Sequence, residues 1–247
     1  MTKSKSAKSK RPQRPANTLP AVLGWLERQG SQKIRDGMAR YAIPSDKAFG
    51  ISVGALRTYA KRLGPNHELA AALWKSGFFE ARMLASFVDA AARVTPQQMD
   101  RWCKDFDNWA ICDTACFALF DRTPHAWPKV EQWARSRDEF VKRASFALLA
   151  SLTVHDKRAG DALFAKGLVL VERAATDERN FVKKAVNWAL RSIGKRSAAL
   201  NVAAVKVAKR LGESENAAAR WVGKDALREL ASPGVQRRLA ARKAKAR

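Results

Sequence analysis

From Asn17 to Ser232 apolar residues recur at the spacing of one helix face, and this constrains the fold more than any other feature of the chain. Runs of β-branched residues at period two are missing, and Gly and Pro read as punctuation between the periodic stretches. The spacing predicts helices over 18–29, 31–42, 52–63, 66–76, 78–94, 96–105, 108–120, 125–135, 138–152, 159–175, 178–194, 197–211 and 214–231. These group into about six antiparallel pairs joined by short connections.

A weak internal repeat gives the pairs an order. Phe140-Val141-Lys142-Arg143-Ala144 realigns on Phe181-Val182-Lys183-Lys184-Ala185, 41 residues on, and Trp188-Ala189-Leu190-Arg191 is echoed by Asp225-Ala226-Leu227-Arg228, 37 on. Those offsets lie near the period of HEAT-type helical arrays, roughly 40–47 residues. A single pair cannot bury its own apolar stripe, so stacked neighbours make the core and leave a curved inner face. The expectation is an all-α, HEAT-like helical-repeat solenoid over residues 17–232. An irregular helical bundle is the alternative that this periodicity leaves open.

Charge indicates the partner. The chain carries 47 Lys and Arg against 23 Asp and Glu, a net +24. Residues 1–16 and 233–247 hold six cations each and no acid, and read as two basic tails, the first disordered. The body between them keeps 35 basic against 23 acidic residues, so its surface is basic in its own right. Such an excess implies a polyanion, most simply nucleic acid. The sequence has no apolar run of about 18 residues that would cross a membrane. Residues 1–16 lack the apolar stretch of a secretory signal. Three cysteines, an odd number in a chain that needs no staples, fit a reducing cytoplasm. Cys103, Cys112 and Cys116 lack a convincing fourth ligand for zinc, and no phosphate-binding or dinucleotide-binding glycine loop is present, so no cofactor or metal is expected.

Two segments carry possible chemistry. In 178–194, Val182, Val186, Ala189 and Ile193 form the buried stripe, while Lys184, Trp188 and Arg191, followed by Lys195, occupy another face. A tryptophan flanked by cations suits a sugar-phosphate strand; it also suits a plug between adjacent repeats. In 105–113, Asp107 or Asn108 can cap the following helix, and Trp109 and Asp113 share one face a turn apart. A carboxylate beside an indole can stabilise a deoxyribose cation and orient water for glycosidic cleavage. The plain alternative pairs Asp113 with an arginine and places Trp109 in the core.

The order and spacing of several pieces decide between these readings. Met38-Ala39-Arg40-Tyr41, Lys47 to Ser52, Leu56-Arg57, Asn108-Trp109 through Asp113, and the two Phe-Val-Lys segments with Trp188 to Arg191 together resemble the AlkD-type DNA alkylation repair glycosylases, over roughly residues 20–230. The resemblance implies Asp113 as the catalytic carboxylate, Trp109 and Trp188 as paired sugar-facing tryptophans, Tyr41 as an aromatic DNA contact and Arg143 as a phosphate-binding arginine. Lys142, Lys184, Arg191 and Lys195 complete the candidate DNA contacts. Ala110, Ile111 and Cys112 depart from the family's more polar or aromatic surroundings. The implied activity is hydrolysis of the N-glycosidic bond of cationic N3- or N7-alkylated purines in duplex DNA, without a pocket enclosing the base. It would be carried out by a cytoplasmic, nucleoid-associated monomer that grips the backbone largely independently of sequence. The competing reading is a non-catalytic HEAT-repeat protein that recognises distorted or branched DNA.

Overall fold

The computed structural model describes residues 16–245; nearly all of the expected N-terminal arm lies outside them. The chain forms fourteen α-helices among the described residues, and no strand. They are α1 (Leu19–Gln29), α2 (Gln32–Gly37), α3 (Val53–Leu63), α4 (His67–Ser76), α5 (Phe79–Val88), α6 (Pro96–Lys104), α7 (Trp109–Ala118), α8 (Ala126–Trp133), α9 (Glu139–His155), α10 (Asp161–Ala174), α11 (Asn180–Gly194), α12 (Ala198–Gly212), α13 (Ala217–Leu230) and α14 (Pro233–Lys245). None is long and apolar enough to cross a membrane.

The odd-numbered helices α3, α5, α7, α9, α11 and α13 pack side by side as one layer. Several of the even-numbered helices back them as a second layer: α4 against α5, α8 against α9, α10 against α11, α12 against α13. Polar bonds follow the same stacking. Trp74 Nε1 donates to Asp105 (2.8 Å), Trp133 Nε1 to Asp100 (2.9 Å) and Trp127 Nε1 to Asp156 (3.0 Å), each partner 29 to 33 residues away. One repeat therefore binds the next, as a solenoid requires. The stripe predicted in α11 is the seam: Val182, Val186, Ala189 and Ile193 are fully buried.

Where the structure departs from the predicted helices, a specific interaction intervenes. The predicted helix 31–42 ends at Gly37 and continues as a 3₁₀ turn, Met38–Tyr41, closed by Ala42 in the left-handed region (φ 53°). The predicted helix 78–94 stops at Val88, where Asp89 accepts the Ala90 N–H (2.7 Å), the Gln98 amide (2.6 Å) and the His67 ring (2.6 Å), fixing the chain as extended. Glycine is not only punctuation: Gly223 sits inside α13 because a Cβ there would lie 2.2 Å from the Gly212 nitrogen, so only glycine lets α12 and α13 approach. Ahead of α3, fully buried Glu80 accepts the N–H groups of Phe49, Gly50 and Ile51 (2.8, 2.7 and 3.1 Å), with Gly50 at φ 82°. This buried carboxylate shapes the loop that follows the 3₁₀ turn.

The C-terminal segment read as a basic tail is helical to Lys245 and docks on α12 and α13. Its apolar positions Val235 and Leu239 are buried, and Arg242 donates to the carbonyl of Lys195 (2.9 Å) at the end of α11. Four-residue spacing of two apolar residues in a cation-rich run is a short signal, easily read as a solvated tail. Leu239→Ala is expected to cost about 2 kcal/mol, a fall of about 5 °C in Tm for a chain of this size, followed by far-UV circular dichroism. An unchanged Tm would mean that the helix contributes no packing.

Candidate active site

The sequence places Trp109, Asp113 and Phe117 four residues apart on α7, and the helix turns them into one line along the inner layer. Asn108 starts that helix: its side chain accepts the N–H groups of Ala110 and Ile111, both at 3.0 Å. Trp109, the first helical residue, is half-buried and donates its indole N–H to the Tyr41 carbonyl (2.7 Å). That bond ties the N-terminal 3₁₀ turn to α7 and leaves the Tyr41 ring exposed at the rim. Ile111 and Cys112, which depart from the family pattern, are buried in the core and do not line the site.

Asp113 and Arg143 form a two-pronged ion pair. Arg143 Nε donates to Asp113 Oδ1 (3.0 Å) and Nη2 to Oδ2 (2.7 Å), while Nη1 donates to the Phe181 carbonyl on α11 (2.9 Å). One guanidinium thus joins α7, α9 and α11. The arginine side chain is only 7% exposed and the aspartate 18%, and both line the same hollow. Burial pushes the Asp113 carboxyl above its ordinary range, against the opposing charge of Arg143. Arg143, expected as a phosphate contact, lines the hollow and spends its donors on Asp113 and the Phe181 carbonyl.

In front of this pair lies a hollow of about 760 Å³, with Tyr41 and Trp109 on one side and Lys184, Trp188 and Arg191 on the other. Trp188 stacks in parallel on Phe117, ring centres 5.0 Å apart, and is half-buried. It thus packs against α7, across α9, and also walls the hollow. Asp113 likewise pairs with an arginine and still faces the hollow.

The remaining candidate cations divide. Lys184 is exposed in the hollow and has no carboxylate partner among the described residues. Arg191 reaches the hollow but is bonded to Glu229 (2.6 Å), which also takes Lys195 (2.7 Å). Burial pushes Glu229 up, and the two cations more than offset it, leaving its carboxyl below the ordinary range. Lys195 itself opens onto a neighbouring hollow. Lys142 points to Asp177 (2.9 Å) in the connection before α11 and is absent from the site. Asp177 is held well below the usual range, first by the Arg179 guanidinium and then, against burial, by Lys142.

Two wall residues escape sequence reasoning. Trp221 is 41% exposed on the hollow's rim with Lys183 5.2 Å over its ring. Arg40, quoted only as part of a motif, lines the hollow beside Tyr41. A signal for this corner was available: Asp225, the residue in register with Trp188 in the 37-residue echo, also faces the hollow.

Comparison with known proteins bears on this geometry. A family model described as DNA alkylation repair enzyme matches residues 23–230. A solved structure described as "A new family of proteins related to the HEAT-like repeat DNA glycosylases with affinity for branched DNA structures" is similar, with a TM-score of 0.71 and 21% identity, covering 85% of this chain and 94% of that one. No curated protein sequence matches the chain. The fold is thus the HEAT-like helical repeat.

Removing Arg143 leaves a shielded carboxylate without its partner, which typically costs 3–5 kcal/mol. Arg143→Met is therefore expected to destabilise by about 3 kcal/mol in urea unfolding, and adding Asp113→Asn should recover a large part of that loss. Additive effects in this double-mutant cycle would mean that the two side chains do not share their energetics.

Proposed function

The chain belongs to the DNA alkylation repair enzyme family, and on that premise we propose that it is a monofunctional DNA glycosylase acting on purines alkylated at N3 or N7 in duplex DNA. One observation carries the reading: Asp113 faces a shallow basic hollow lined by Trp109 and Trp188 and is held by a two-pronged guanidinium. Alkylation at N3 or N7 makes the purine cationic and a good leaving group. The C1′–N9 bond breaks with its electron pair passing to the base, which leaves neutral, and the positive charge passes to the deoxyribose. The Asp113 carboxylate stabilises that charge, and the indoles of Trp109 and Trp188 offer their electron-rich faces to it. Water then adds to C1′ and loses a proton to solvent through Asp113. Arg143 acts as a positioning residue, fixing the carboxylate's direction.

The DNA would lie across the inner layer, its phosphates near exposed cations such as Lys184 and Arg40, as a monomeric complex on nucleoid DNA. Contacts of this kind are salt-sensitive and indifferent to sequence. A second reading, binding of distorted or branched DNA without chemistry, draws on the fact that both Asp113 oxygens already accept from Arg143. It also draws on the affinity for branched DNA described for the related solved protein.

The two readings part on one measurement. Asp113→Asn keeps the size of the side chain and removes its charge, and should lower single-turnover release of 7-methylguanine from a methylated duplex by about 10² with DNA affinity unchanged. The wild-type rate should also fall with decreasing pH through a pKa above the ordinary carboxylate range, because burial favours the protonated form of Asp113. The Asn variant should lack that acid limb. Equal release by the two proteins, or none by wild type, would leave the binding reading in its place.

A further inference from the structure

Beyond Phe117 the line on α7 leads to a second basic hollow that the proposed chemistry does not use. It measures about 640 Å³ and is lined by Arg57 and Lys61 of α3, Phe87 of α5, Phe117 of α7, Arg122 and His155. No acidic residue lines it, and Arg57, Lys61 and Arg122 are exposed without a carboxylate partner among the described residues. Here cations accumulate without local compensation, in contrast to Arg143 and Arg191 in the first hollow.

Its walls are built for flat rings. The Arg57 guanidinium lies 5.3 Å over the Phe87 ring, and His155 meets Phe117 edge-on at 5.9 Å. His155 is held there at a cost. Its Nδ1 bonds to Asp121, whose side chain is fully buried and whose second oxygen, Oδ1, has no partner. Ser151 donates to the same Asp121 oxygen. With Nδ1 turned inward, the other edge of the ring is the one presented outward, in a side chain 43% exposed. An incompletely bonded buried carboxylate destabilises a fold, and here it orients a single solvent-facing imidazole at the rim.

The two hollows are linked through a third. Phe117 walls the second, Trp188 walls the first, and the two rings stack in parallel, with a third basic hollow touching both. A strand leaving Asp113 along α7 therefore passes over an aromatic ridge into a cation-lined trough. A blunt duplex ending at the Asp113 hollow would leave this trough unused, since its base faces are covered. Arg57 covers one face of Phe87 and Trp188 one face of Phe117, so the opposite faces are the ones left for unstacked bases.

We infer that the Arg57–Lys61–Arg122 hollow binds the unpaired nucleotides of a DNA strand that continues from the duplex at Asp113. The bases stack on Phe117 and Phe87, and the phosphates meet the three cations and His155. The inference rests on DNA occupying the Asp113 hollow and is independent of base cleavage there. It makes this protein a reader of duplex next to single strand, such as a frayed or forked end.

The test compares binding by the full chain to a blunt duplex and to the same duplex carrying a short unpaired tail of either polarity. The tailed duplex should bind about tenfold more tightly, as expected for stacking of one base. The variant Arg57→Ser/Lys61→Ser/Arg122→Ser, changed only at exposed positions, should lose that preference and keep its affinity for blunt duplex. Its salt slope on the tailed duplex should fall by about 2, from roughly 0.7 per single-strand phosphate. Phe117→Leu, which retains bulk against Trp188, should lose the preference without losing salt dependence. Equal wild-type affinity for the two substrates overturns the inference, as does a triple variant that keeps the preference or weakens both substrates alike. If blunt-duplex binding and base release persist in those cases, the proposed function stands; if wild type binds no blunt duplex, both fail.

Discussion

Everything at the inner face is referred to one guanidinium. Arg143 bonds to Asp113 on α7 and to the Phe181 carbonyl on α11 while being carried on α9. Three successive helices of the inner layer thereby have a fixed offset. Of the three indoles that line the hollow, Trp109 and Trp188 sit on the outer two of these helices, so the group that joins those helices also bears on their separation. A bidentate fork is the interaction suited to this, because it fixes direction as well as distance. The pair is shielded but not sealed, and the small exposed part belongs mainly to the carboxylate.

The rest of the charge distribution has a related logic. Where cations meet acids across repeats, as in Lys142–Asp177 and Arg191–Glu229–Lys195, they join one helix pair to the next. Such contacts are local in a solenoid, so each repeat is fastened to its neighbour without any long-range closure. Where cations have no acid, as at Lys184 or around Phe87 and Phe117, they crowd along the inner layer and raise the potential over it. The net +24 is therefore two populations, one holding the array together and one available to a polyanion. Composition alone cannot separate them, because a paired and an unpaired lysine look the same in sequence.

That difference explains what could be read before the structure. Helix positions, the buried stripe of α11 and the layer topology follow from periodicity, a property of residues near one another in the chain. Tyr41, Trp109, Asp113, Arg143, Lys184, Trp188 and Arg191 do line one hollow, yet they were brought together by resemblance and not by spacing. What spacing did not show has non-local causes. The direction of Arg143 depends on a partner 30 residues away. Lys142 and Lys195 turn to acids 35 and 34 residues away. Trp221 reaches the rim only through the packing of α13, which no local spacing shows. The docked helix α14 rests on two apolar residues whose receiving surface is made by α12 and α13.

On the proposed function, the paired state of Asp113 also bears on which substrates could react. A lone carboxylate about 4 Å from a developing cation contributes about 4 kcal/mol at an effective dielectric of 20. The guanidinium bonded to it cancels part of that field, so the site supplies a fraction of this stabilisation. Such a site lowers the barrier modestly and cannot cleave a stable glycosidic bond quickly. It suffices only where the leaving base already carries a positive charge and departs readily. An open hollow with no enclosure for the base would then need no pocket to reject normal purines, since their bonds are too strong for the help on offer. Selectivity would lie in the lability of the damaged nucleotide. What the protein must provide is a fixed carboxylate direction and a held sugar, which are what Arg143 and the two tryptophans are placed to give.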